Sequence, residues 1–164
     1  VPQDRFDRAA VAPDGEGVAH AFGAIRVAHA HGVQLEGADF SRVLGEQALF
    51  CSASAARANF SGASLRQALF TRARLPSALF DGADLYQANF GGAMLAGSRL
   101  TNCDLTYADF RGADMQGVDA RGATLFRACL HATRTDQAQF TDRGRALETD
   151  PELRAAEEWA PKVA

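Results

Sequence analysis

Two histidines and a cysteine are the side chains best suited to chemistry in this chain of 164 residues. His29 and His31 stand two apart, which on an extended backbone points both imidazoles to one side. A paired imidazole with a nearby thiolate is the beginning of a zinc-type ligand set. Cys51 is the thiol in question, because it follows His31 by twenty residues, a spacing that recurs throughout the chain. With no fourth ligand and no helical spacing, packing near one end of the fold outweighs ligation, and neither a metal nor another cofactor is expected. Cys103 falls in a slot otherwise held by small apolar residues, so it reads as packing. Asp104, Asp109, Asp114 and Asp119 recur every five residues. That spacing lines an outer surface, where a carboxylate faces solvent or bonds nearby backbone. The sequence has no nucleotide-binding loop, nucleophile elbow, zincin motif or CxxC, and the chain is not expected to be an enzyme.

These residues must be positioned by something, and composition narrows what. With 47% hydrophobic and 23% charged residues, the chain can build one core, which excludes disorder, collagen and a disulfide-stapled miniprotein. A formal net charge of -3 suits neither a basic nucleic-acid binder nor a strongly acidic surface. Three widely spaced cysteines form no disulfide framework and point to a reducing compartment. No apolar run approaches the roughly 20 residues of a bilayer span, and the start VPQDRFDRAA has no hydrophobic signal core, so no membrane insertion is expected. Beginning at Val1 rather than Met suits a processed or excised piece of a longer protein.

The organising signal is a period of five that runs without gaps from His31 to Phe140. At every fifth residue, from Leu35 and Phe40 to Phe140, 18 of the 22 are Leu, Phe or Met, the others being Gly45, Ala55, Ala120 and Thr135. Two residues earlier stands a small side chain, Ala in sixteen units. A period of five fits neither a helix at 3.6 nor a flat strand at 2. It fits three extended residues and a two-residue corner, repeated. The small and large residues then share the inner side while the residue between them points out. From Gly37 to Gly122, Gly fills the second corner position in eight units, as expected where some turns need a positive φ.

Units such as ADF, ANF, ADL and ALF recurring every five positions resemble the pentapeptide-repeat family, whose motif is A(D/N)LXX. The resemblance covers 31–140 and implies an all-β solenoid, a right-handed quadrilateral β-helix with twenty residues per coil. About five and a half coils would rise about 26 Å. Residues twenty apart then stack, so Phe50, Phe70, Phe90 and Phe110 make one ladder and Leu65, Leu85, Leu105 and Leu125 another. Cys51 and Cys129 fall outside and nearly four coils apart, beyond disulfide reach. Residues 1–30 read as an N-terminal segment and cap, and 141–164 as a tail. Thr149, Asp150, Pro151 and Glu152 signal a helix start, with Leu153, Ala156 and Trp159 at helical spacing, so a short helix over about 150–160 is expected to cap the last coil.

Function then lies on the outer surface. The resemblance implies one candidate directly, mimicry of B-form DNA toward type II topoisomerases in quinolone resistance, which needs a dense negative surface. Ten acids and ten arginines in 31–140 leave the tower neutral, so topoisomerase ranks second as a partner and direct nucleic-acid binding is not expected. The preferred reading is a noncatalytic scaffold that binds another protein or a second copy of itself. Leu49 and Leu69 occupy outward slots one coil apart, and Tyr86, Phe126 and Tyr107 gather at one corner. Leu49, Leu69, Tyr86, Tyr107 and Phe126 are therefore the expected contact residues. Bacterial secretion-associated effectors, adaptors and immunity factors are the roles that the resemblance implies. A bacterial cytoplasm is the expected setting, with secretion through a specialised system as the variant of it.

Overall fold

In the computed structural model, the residues described are 32–149 together with Pro151, Glu152 and Ala155. The expected N-terminal cap over 1–30, and with it His29 and His31, lies outside them. So do Leu153, Ala156 and Trp159 of the expected capping helix; the three described residues of that stretch are helical and exposed.

The five-residue period is realised as a corner at every unit. Leu35 O accepts a hydrogen bond from Ala38 N at 3.1 Å, Phe40 O from Val43 N at 3.2 Å, and the same bond recurs up to Thr135 O and Ala138 N at 3.0 Å. The second corner residue has a positive φ at every unit from Gly32 to Gln137, whether it is Gly37 (φ 67°), Arg42 (φ 57°), Tyr107 (φ 59°) or Ala132 (φ 54°). This is the pattern of a type II turn. Sequence reading assigned the left-handed conformation only to some corners; the geometry imposes it on all of them. A side chain in that conformation costs about 1–2 kcal/mol, and the bonds between coils must offset it.

Those bonds set the second period. Leu49 pairs with Leu69, Leu69 with Asn89, Asn89 with Asp109 and Asp109 with Cys129, all parallel and twenty apart. Three other columns do the same, which gives four walls. Wall 1 carries Gln34, Ser54, Arg74, Met94, Asp114 and Arg134 outward; wall 2 carries Asp39, Asn59, Leu79, Arg99 and Asp119. Wall 3 carries Leu44, Ser64, Asp84, Asp104 and Thr124, and wall 4 the Leu49 column. Extended segments are so short that the longest paired strands, β1 (Asp119–Ala120) and β2 (Gln139–Phe140) on wall 2, have two residues each.

Large residues fill the interior from all four walls. Phe50, Phe70, Phe90 and Phe110 stack on wall 4 at centroid distances of 4.8–5.0 Å with planes within 4°. Phe40, Phe60 and Phe80 stack likewise on wall 2, and the two ladders meet edge to face at 5.4–5.9 Å. Leucines line the other two walls, with Leu65, Leu75, Leu85, Leu95 and Leu105 fully buried. Gly45 leaves the space that Leu65 needs, since a Cβ there would lie 3.1 Å from Leu65 Cδ2.

Three polar residues in the small inner slot share one solution to burial. Ser98 Oγ donates to Leu75 O at 2.6 Å, Cys103 Sγ approaches Phe80 O at 2.9 Å, and Thr133 Oγ1 donates to Phe110 O at 2.7 Å. Each reaches the carbonyl 23 residues earlier, so a hydroxyl or thiol fits where alanine is usual.

The repeat does not stop at Phe140. Leu147 pairs with Cys129, eighteen residues on instead of twenty, and Leu130 N donates to Leu147 O at 2.7 Å. The tail read as following the repeats thus adds one more rung to wall 4 along a path two residues shorter. Thr141 Oγ1 accepts from Gly122 N and Thr149 Oγ1 from Ala132 N, closing corners that a further repeat would close with backbone. The Arg143 guanidinium lies 4.8 Å from the Phe140 ring centroid and pairs with Glu148, covering part of the last coil.

Gly122 (φ 74°) is the corner where added bulk meets an obstacle, because a Cβ would fall on the Asn102 side-chain amide, whereas Gly82 (φ 66°) faces open space. Gly82→Ala should cost about 1 kcal/mol and Gly122→Ala about 2 kcal/mol. Urea unfolding of the two variants, read by circular dichroism, checks that order.

Candidate functional site

The outward slot explains its own preference for Asp and Asn. Asp39, Asn59, Asp84, Asn89, Asp104, Asp109, Asp114 and Asp119 each accept, through Oδ1, the amide two residues ahead at 2.8–3.2 Å. The side chain thereby satisfies a corner amide. Leu44, Leu49, Leu69, Leu79 and Met94 give up this bond, which marks them as departures that the fold itself does not require.

The carboxylates also carry arginine partners. Arg111 grips Asp109 with Nε at 3.0 Å and Nη2 at 2.6 Å, and Arg121 grips Asp119 at 2.9 and 2.7 Å. Arg66 pairs with Asp84 at 3.1 Å, Arg99 with Asp81 at 2.9 Å and Arg134 with Asp114 at 3.3 Å. The Arg121 hydrogen bonds hold the Asp119 carboxyl down at about 2. Desolvation pulls Asp109 upward, but the bonds from Arg111 outweigh it and leave its carboxyl below the ordinary value. Asp84 on wall 3 and Asp109 on wall 4 are therefore each paired with an arginine, whereas Asp104 on wall 3 accepts the Thr106 amide.

The aromatic residues come together as the columns foretold. The corner between walls 3 and 4 carries Glu46, Arg66, Tyr86, Thr106 and Phe126 in its first column, and Gln47, Gln67, Gln87, Tyr107 and Arg127 in its second. Tyr86 and Tyr107 meet edge to face at 5.8 Å, and Tyr107 and Phe126 do so again at 5.8 Å. Arginines flank this staircase, Arg66 at 4.3 Å from the Tyr86 ring and Arg127 at 5.9 Å from that of Tyr107. Below it, Gln47 donates to Gln67 at 3.0 Å and Gln67 to Gln87 at 2.9 Å, a ladder that rigidifies the corner. Tyr107 and Phe126 are 41% and 38% exposed, while Tyr86, Leu49 and Leu69 are half-buried.

The structure thus places these five residues on the outer surface, with Leu49 beside Leu69 on one wall, and two further features share that surface, an outward leucine left out of the expected contacts and a pocket. Leu44 on wall 3 is 58% exposed, the most of any large apolar residue described. A shallow pocket of about 250 Å³ opens at the top of the aromatic corner, lined by Ala123, Thr124, Leu125, Phe126, Asp142 and Arg145. Leu44 was legible as an outward leucine; the pocket was not, because the irregular tail forms one side of it.

No cluster of His, Cys, Asp and Glu able to hold a metal exists among the described residues. Cys51, Cys103 and Cys129 are all free thiols. Desolvation pushes the Cys103 thiol up to about 12, so it stays protonated and inert.

A filled four-walled solenoid whose chemistry is confined to its outer surface defines a repeat scaffold. The pentapeptide-repeat family model matches 31–67, 63–102 and 103–134 with eight copies, and the chain belongs to that family. Its members adopt a right-handed quadrilateral β-helix and are in general noncatalytic structural or binding proteins. Among solved structures, a pentapeptide repeat protein of the Arabidopsis thaliana thylakoid lumen is similar at 27% identity over 63% of this chain and 68% of that one, with a TM-score of 0.42. HetL, a pentapeptide repeat protein involved in heterocyst differentiation regulation in the cyanobacterium Nostoc, is 25% identical over 70% of this chain and 59% of that one, at a TM-score of 0.35. QnrB1, a plasmid-mediated fluoroquinolone resistance protein, is 20% identical over 76% and 74%, at 0.40. The comparison with curated proteins gave no match.

Two outcomes follow from this chemistry. In the native protein at pH 8, Ellman's reagent should modify Cys51 and Cys129 but reach Cys103 only after unfolding; rapid loss of all three thiols would contradict its burial. A depressed carboxyl contributes stability above the unfolded value near 4 and loses it as the pH falls toward 2. The Asp119 pair is exposed, so that contribution is small. Arg121→Ala should move the Asp119 titration up toward the ordinary carboxylate range, measured by NMR.

Proposed function

We propose that this protein is a noncatalytic protein-binding scaffold whose contacts are Leu49, Leu69, Tyr86, Tyr107 and Phe126. The observation that carries this reading is the edge-to-face staircase of Tyr86, Tyr107 and Phe126 standing on an outer corner. The core does not need it, since the inward ladders are complete without these rings. Aromatic rings held rigid at a surface lose little entropy on binding and contribute roughly 25 cal/mol per Å² of apolar area removed from water. Leu49 and Leu69 extend the apolar surface onto wall 4, where each replaces the Asp or Asn that would have bonded a corner amide.

Mimicry of DNA toward a topoisomerase draws less support. It needs uncompensated negative charge at phosphate-like spacing, and Asp84, Asp109, Asp114 and Asp119 each sit against an arginine. A reducing bacterial cytoplasm remains the proposed setting, in keeping with three free thiols. An adaptor, immunity or secretion-associated role follows from the same reading.

The test is the double variant Leu49→Asp and Leu69→Asp, which installs the residue type that the slot ordinarily holds. Melting temperature should hold within a few degrees, while capture of the wild-type partner, recovered by affinity purification with the full chain as bait, should fall by at least about tenfold. Undiminished capture, or stoichiometric inhibition of gyrase supercoiling by the wild type, would overturn the reading.

A further inference from the structure

We propose that the corner between walls 3 and 4 is a self-association surface on which a second copy of this chain lies antiparallel, seating Leu44 of each copy in the pocket beside Phe126 of the other. The inference rests on the protein-binding reading above and names the partner.

Three observations converge on it. The most exposed large apolar side chain, Leu44, and the Thr124 rim of the pocket occupy the same column of wall 3. They are four coils apart, about 19 Å along the tower. A two-fold axis perpendicular to the tower at the level of Asp84 and Tyr86 lies midway between them. It brings Leu44 to the pocket, and symmetry repeats the contact, as an isologous interface must.

Charge runs the same way. Residues 32–80 hold three acids and five arginines, whereas 81–149 hold nine acids and seven arginines. Parallel copies would align like with like; antiparallel copies oppose the positive lower half to the negative upper half. On the corner itself the local order is reversed, with Glu46 at the bottom and Arg127 at the top, both exposed. The same axis sets Glu46 of one copy against Arg127 of the other, and Arg145 beside the pocket adds to that positive end.

The third observation is apolar matching. Leu44 and Leu49 flank the lower end of the corner, and Tyr107 and Phe126 form its upper end. An antiparallel copy sets Phe126 against the leucine pair, twice, and Tyr107 one coil further in against Gln67, while the Gln47, Gln67 and Gln87 ladder keeps the corner rigid enough to dock. A foreign partner need satisfy none of these symmetric relations, and a second copy satisfies all three.

Sedimentation velocity of the full chain across a concentration series tests the proposal. The wild type should form a dimer. Glu46→Arg and Arg127→Glu should each weaken it by at least about tenfold, as like charges then meet twice. The combined Glu46→Arg and Arg127→Glu variant should recover wild-type association, which a general loss of folding could not do. Leu44→Asp should dissociate the dimer with the melting temperature unchanged. A wild type that stays monomeric into the hundreds of micromolar overturns the proposal, as does a dimer indifferent to both single charge reversals or a combined variant as weak as either. If the wild type is monomeric while Leu49→Asp with Leu69→Asp still abolishes capture of a foreign protein, this inference fails and the protein-binding reading stands.

Discussion

A chain that turns after every three extended residues must reverse its hand at each corner, and the positive φ from Gly32 to Gln137 is the constraint on which the rest depends. It is satisfied by glycine at nine positions and by Arg, Gln, Ser, Asn, Tyr or Ala at the other thirteen. Each non-glycine corner opposes folding by about 1–2 kcal/mol. Hydrogen bonds between successive coils repay that conformational cost, since the Phe70 amide bonds Asn89 O at 2.7 Å and the Arg72 amide bonds Gly91 O at 2.9 Å. No corner is stable by itself; coils hold one another, which is the cooperativity of a solenoid.

The same constraint leaves no room for a buried site. With the small and large residues of every unit inward, opposite Phe ladders come within 6 Å edge to face and the interior closes. Burial favours the removal of water from a reacting group, and the outward slots of the walls hold side chains that are half-buried or exposed. What the walls can do is present patterns. An outward Asp or Asn serves its own turn, an arginine neutralises it, and a leucine or tyrosine in that lattice gives up a local bond. The surface thus separates positions that maintain the fold from positions free to bind.

Irregular structure at the upper end changes the picture there. Leu147 adds a rung to wall 4 from a path two residues short, so the tail must cross wall 3 without filling it. The resulting opening beside Phe126 is bounded by Asp142 and Arg145, and it places a concave feature at the end of an otherwise convex corner. Recognition of any partner is favoured where an aromatic ring, a recess and a cation coincide.

Much of this was legible in the sequence, because a five-residue period repeated twenty-two times fixes the inner side, the corners and the stacking partners by counting. Leu49 against Leu69, the four-membered Phe ladder, and the gathering of Tyr86, Tyr107 and Phe126 all follow from arithmetic on residue numbers. Counting could not decide what side chains do once placed. Gly marks corners that tolerate a positive φ, but Arg42 and Tyr107 carry no such mark, and only stacking forces them into it. The pairing of Arg111 and Arg121 with their own aspartates depends on rotamers, which counting does not give. The tail beyond Phe140 breaks the period, so its return to wall 4 at Leu147 and the pocket it bounds were settled by tertiary contacts with the preceding coil. Periodicity determines where residues stand; three-dimensional packing decides which of them meet.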